Sequence, residues 1–85
     1  MARALTVTVR HVEDAEIGGY VAGLRRRKDY FLAASCNFWV FADPDASGAF
    51  TEFTEARDRE TLAAAHRGAG PELEGTPILS EVELI

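Results

Sequence analysis

The sequence predicts an α+β domain, a four-stranded antiparallel sheet with two helices on one face, in the order β-α-β-β-α-β. Three observations carry that prediction. Ala4 to Arg10 alternates Leu5, Val7 and Val9 with Thr6, Thr8 and Arg10, the period of a strand with one buried face. Ile17, Tyr20, Val21 and Leu24 recur at i, i+3, i+4 and i+7, so a helix there presents an apolar stripe. Ala33 to Glu55 reads as two strands around a turn and holds five of the chain's eight aromatic residues.

The first strand covers Ala4–Arg10, and His11 to Asp14 leads into the first helix. Glu13 and Asp14 at its start and Arg25-Arg26-Arg27-Lys28 near its end suit the helix dipole. Gly18, Gly19 and Gly23 fall off the apolar stripe and weaken the helix, so packing must hold it. In the hairpin, Phe38 to Phe41 are strand formers, Asp43-Pro44-Asp45-Ala46-Ser47-Gly48 is turn chemistry, and Phe50 to Glu55 is the returning strand. Arg57-Asp58-Arg59-Glu60 opens a second helix, with Asp58 as N-cap, Leu62 and Ala65 inward and Gly68 as terminator. Gly68 to Pro77 is rich in Gly and Pro and reads as a loop, and Ile78 to Ile85 as a last strand.

This is the split βαβ pattern of the ferredoxin-like fold, in one domain over residues 1–85. Along the second strand Asn37, Trp39 and Phe41 point one way and Cys36, Phe38 and Val40 the other, and both sets are too apolar for water. One face takes the helices. The other needs a cover, either the sheet of an identical subunit or a ligand.

Composition narrows the function. Nine basic against fourteen acidic residues give a net charge of −5, which argues against nucleic acid and anionic membranes as partners and favours small neutral or aromatic ligands. One cysteine, Cys36, excludes an internal disulfide and reads as a small buried hydrophobe. No signal-like segment opens the sequence, and no run approaches the ~18 apolar residues of a membrane span, so the expectation is a cytoplasmic domain. Two histidines and one cysteine at wide separation offer no metal-ligand spacing, and no glycine-rich phosphate loop occurs, so no metal or cofactor is expected.

The segments Phe38-Trp39-Val40-Phe41-Ala42-Asp43-Pro44-Asp45 and Phe50-Thr51-Glu52-Phe53-Thr54-Glu55, followed by Asp58 and Leu62, resemble the antibiotic biosynthesis monooxygenase-like group of the dimeric α+β barrel superfamily. The resemblance covers most of the chain through structural motifs. It implies a homodimer with two sheets packed face to face and, in each subunit, a cleft between sheet and helices. It further implies oxidation of a polyphenolic or other aromatic compound without metal or flavin. The chain departs from the group at Ala56, where a Trp is common, and His66 lies about one position from the group's helical His. The Asn that haem-degrading relatives carry on the first strand has no match between Leu5 and Arg10, which argues against haem chemistry.

Within that frame each candidate has two readings. Trp39 is a ring-binding wall or a dimer-interface anchor, and Asn37 holds an oxygen-derived group or lines the sheet edge. His66 moves a proton or complements the helix dipole. Tyr20 lines the cleft or fills the core. The four charges of Arg25 to Lys28 are about 100° apart on the helix and read as a solvated surface. Glu52 and Glu55, three apart on one strand, face opposite ways and cannot act together. The enzyme reading therefore makes Asn37 and His66 catalytic and Trp39 and Tyr20 substrate-binding; the alternative is a non-catalytic homodimeric ligand-binding or assembly module.

Overall fold

A computed structural model describes residues 2–70 and 75–84. The elements follow the expected order: β1 (Ala4–His11), a single 3-10 turn (Asp14–Glu16), α1 (Ile17–Ala33), β2 (Cys36–Ala42), β3 (Ala49–Ala56), α2 (Arg59–Ala69) and β4 (Leu79–Ser80). All strand pairs are antiparallel and the sheet order is β2-β3-β1-β4, an arrangement compatible with a ferredoxin-like fold.

The hairpin is pinned at both ends of its turn. Asp43 accepts a hydrogen bond from the Asp45 amide on its side chain at 2.8 Å and donates its own amide to the Ala49 carbonyl at 3.0 Å. Gly48 sits at φ +82°, and its carbonyl accepts from the Val12 amide at 2.8 Å. A Cβ at Gly48 would run into the Val12 carbonyl, so no other residue fits that turn.

Strand parity then sorts the sheet. Ala4, Thr6, Cys36, Phe38, Phe50, Glu52, Thr54 and Ala56 are buried on one face. Phe31 of α1 and Leu62 and Ala65 of α2 join Ala4, Cys36, Phe38 and Ala56 in one core, so both helices lie on that face. Phe31 stacks on Phe38 with ring centres 5.2 Å apart. On the other face Val9, Trp39, Phe41 and Leu79 are exposed, as the face assignment of β2 anticipates.

Three boundaries differ from the sequence reading. α1 continues to Ala33, where the hairpin was expected to begin, because Phe31 is needed in the core and carries the last turn inward. Its inward stripe is Tyr20, Leu24, Arg27 and Phe31, and Val21, expected on the stripe, is half exposed. α2 passes Gly68 and ends at Ala69, with Gly70 at φ +122° as its C-cap. Gly68 serves packing instead: the Tyr30 hydroxyl donates to the Ala65 carbonyl at 2.5 Å and occupies the space a Cβ on Gly68 would fill. The last strand is shorter than Ile78–Ile85. Among the described residues of that segment, Leu79 and Ser80 alone pair with β1, followed by one bond from the Glu81 amide to the Arg3 carbonyl at 2.8 Å. Of the loop expected over Gly68 to Pro77, residues 71–74 lie outside the described residues, as does Ile85.

Candidate functional site

Under the helices the sheet carries a charge where parity calls for an apolar residue. Glu52 of β3, between Phe50 and Thr54 on the covered face, is 3% exposed. Its Oε1 accepts from Arg27 Nη2 at 2.9 Å, and its Oε2 accepts from Arg27 Nη1 at 2.7 Å, Arg10 Nε at 2.8 Å and the Tyr20 hydroxyl at 2.5 Å. Both oxygens are thus engaged, and Arg27 binds them as a fork. Arg27 also lies over the Phe38 ring, 5.1 Å from its centre.

The electrostatics follow from that geometry. Burial alone would raise the Glu52 pKa, but hydrogen bonds from Arg27, Tyr20 and Arg10 outweigh it and hold the carboxyl below its ordinary range. Burial, and then the bond to anionic Glu52, push the Tyr20 hydroxyl well above the ordinary phenol range. Glu52 is therefore a fixed anion and Tyr20 a fixed donor. Neither exchanges protons near neutrality; together they aim two guanidinium groups along one wall of a cavity.

That cavity is a cleft of about 430 Å³ between the sheet and the two helices. Its lining includes Thr8 and Arg10 of β1, Glu52 and Thr54 of β3, Arg26, Arg27, Tyr30 and Phe31 of α1 and His66 of α2. His66 Nε2 lies 2.9 Å from the buried Thr6 hydroxyl, and its ring packs 5.3 Å from that of Phe31. The cleft therefore offers an aromatic wall, hydroxyls and an imidazole, a set able to seat a ring and hydrogen-bond its substituents.

The four residues singled out in the sequence divide between two sites. His66 lines the cleft, and Tyr20 stands behind it in the Glu52 cluster. Asn37 and Trp39 lie across the sheet on the open face, where Asn37 Nδ2 donates to Glu55 Oε1 at 2.8 Å and Trp39 stands opposite Phe53. The structure thus does not bring the four together in one cleft, because odd-numbered residues of β2 face away from the helices. Arg10, Arg27 and Glu52 were missed. The signal was present in the parity that places Glu52 with Phe50 and Thr54, and in Arg27 falling three positions after Leu24 on the inward stripe.

Among the described residues no three His, Cys, Asp or Glu side chains gather as a metal site, and no helix is long and apolar enough to cross a membrane. The chain matches no family model, and neither a curated protein nor a solved structure matches it.

Proposed function

We propose that the chain works as a homodimer, with the open faces of two sheets packed together, and that each copy binds a small aromatic compound in its sheet-helix cleft. One observation carries this reading: the two faces of the sheet are unequally finished. The helices roof one face and leave a cleft under them, while the other presents Val9 and Phe41 at 60% exposure beside Trp39 and Leu79. Contiguous apolar surface of that kind marks a contact, and an 85-residue chain buries too little surface alone to spare it. Two such sheets stack about 10 Å apart with interleaved side chains. Trp39 and Asn37 then belong to the interface.

The cleft falls in the size range of small-molecule sites, and Tyr30 and His66 bring ring surfaces to its lining. A second reading, oxygenation of a phenolic compound without metal or flavin, draws on His66, whose ring Thr6 and Phe31 fix at the cleft wall. His66 would take the phenolic proton. Asn37, on the other face, has no part in that chemistry.

Two variants separate the parts of this proposal. Trp39→Ala is expected to weaken dimerisation about 30-fold, as loss of an aromatic interface anchor does, measured by sedimentation; an unchanged dimer constant removes Trp39 from the interface. His66→Ala is expected to leave the dimer intact while abolishing oxygen uptake with dihydroxynaphthalenes in the presence of a chelator. Uptake that survives in this variant removes His66 from the chemistry. Dialysis showing no binding of the same compounds to the native protein would leave the cleft without its proposed ligand class.

A further inference from the structure

The cleft and the whole chain differ in charge. The sequence carries a net −5, yet the described lining of the cleft holds three guanidinium groups, those of Arg10, Arg26 and Arg27, against one carboxylate, that of Glu52. Arg10 and Arg27 meet on a single oxygen of it, Oε2, at 2.8 and 2.7 Å. Positive charge gathered in a cavity raises the local concentration of anions there, because low-dielectric walls focus its field.

Arg26 is the member of this group outside the Glu52 cluster. It is exposed and forms no ion pair among the described residues, while its neighbours Arg25 and Arg27 go to Asp29 and Glu52. One helical turn separates it from Tyr30, so the two side chains share a face of α1. Both belong to the cleft lining, where the His66 ring and the Thr8 and Thr54 hydroxyls join them. A cation and an aromatic ring on one helix face, with hydroxyls and an imidazole in the same cavity, suit a flat ring that carries an anion.

We propose that the compound taken up by the cleft is an aromatic carboxylate, its two oxygens held by Arg26 and its ring placed beside Tyr30 and His66. This rests on the aromatic-ligand reading proposed above and adds the charge of the ligand. A planar carboxylate matches the fork of a guanidinium. An acidic protein repels anions over most of its surface, so these arginines also make the cleft the selective place for one.

The test uses two probes of nearly one shape, 2-naphthoate and 2-naphthamide, titrated into the native chain by calorimetry at neutral pH and low ionic strength. The expected result is about ten-fold tighter binding of the carboxylate, the worth of a hydrogen bond to a charged group. That preference should be lost in Arg26→Gln and kept in Arg25→Gln, which removes the same charge from the adjacent position of α1, outside the cleft lining. Both positions are exposed, so neither variant should disturb the fold, as urea unfolding will show. Equal affinity for the two probes, a preference that survives in Arg26→Gln, or an equal loss in both variants overturns the carboxylate assignment and leaves the aromatic reading standing. The same holds if dihydroxynaphthalenes bind and neither naphthyl probe does. No binding of any of these compounds overturns both.

Discussion

Glu52 is the residue whose environment says most about this molecule. A carboxylate at 3% exposure persists only because four hydrogen bonds from Arg10, Arg27 and Tyr20 replace its water. Removing the charge while keeping the shape takes from Arg10 and Arg27, 27% and 33% exposed, the carboxylate they share. Glu52→Gln is expected to cost about 2 kcal/mol, the worth of hydrogen bonds to a charged group whose partners are partly solvated, measured by urea unfolding at pH 7. The pH dependence has a defined sign. The folded-state pKa of Glu52 is depressed below its unfolded value, so its contribution is fully present above about pH 4.3, the ordinary carboxyl value, and is lost as pH falls through the folded pKa. The stability gap between the native protein and Glu52→Gln should therefore be constant near neutrality and narrow below about pH 4. A gap that widens in acid would mean that the carboxyl is not held as an anion.

The Glu52 cluster was legible only in part: parity puts Glu52 with Phe50 and Thr54, but Arg27 read as one of a solvated run, and the sequence shows neither the register that sets Glu52 under α1 nor the rotation of α1 that turns Arg27 inward. Asn37 and Trp39 lie away from this cleft for a related reason. The alternation of β2 was read correctly, but which of its faces the helices cover depends on contacts remote in sequence.

Among the elements, strands with one clean apolar face were the easiest to see. β1 and the hairpin follow a two-residue period and pair in the expected order over nearly their full length. The second helix starts where its cap demands: Asp58 is extended, and its side chain accepts from the Thr61 amide at 2.7 Å. Asp58→Ala should destabilise the protein by about 1 kcal/mol, visible as a lower urea midpoint with an unchanged slope; no change would mean that packing of Leu62 alone sets the helix start. The ends of both helices were harder. α1 is carried past its charged run by Phe31 and closes with Ser35 at φ 64°, an uncommon conformation for a residue with a side chain. α2 runs through Gly68 because the Tyr30 hydroxyl needs that space. Both endings are decided by tertiary contacts that outweigh local propensity.

At the scale of the molecule the sheet is finished on one side. The helices and the Glu52 cluster close one face around a cleft, and the other face and the β2 edge hold aromatic and aliphatic side chains in water. In the homodimer proposed above, the second copy of this chain would cover that open face. In that proposed dimer Trp39, the only tryptophan of the sequence and 45% exposed in the single chain, would report on the contact.

The most direct test is the solution mass by light scattering across a dilution series, with Trp39 emission recorded on the same samples. The account predicts twice the 9.3 kDa chain mass at high concentration, with emission shifting to the red as dilution exposes the indole. A mass of one chain throughout, with solvent-like emission that does not change on dilution, would contradict it.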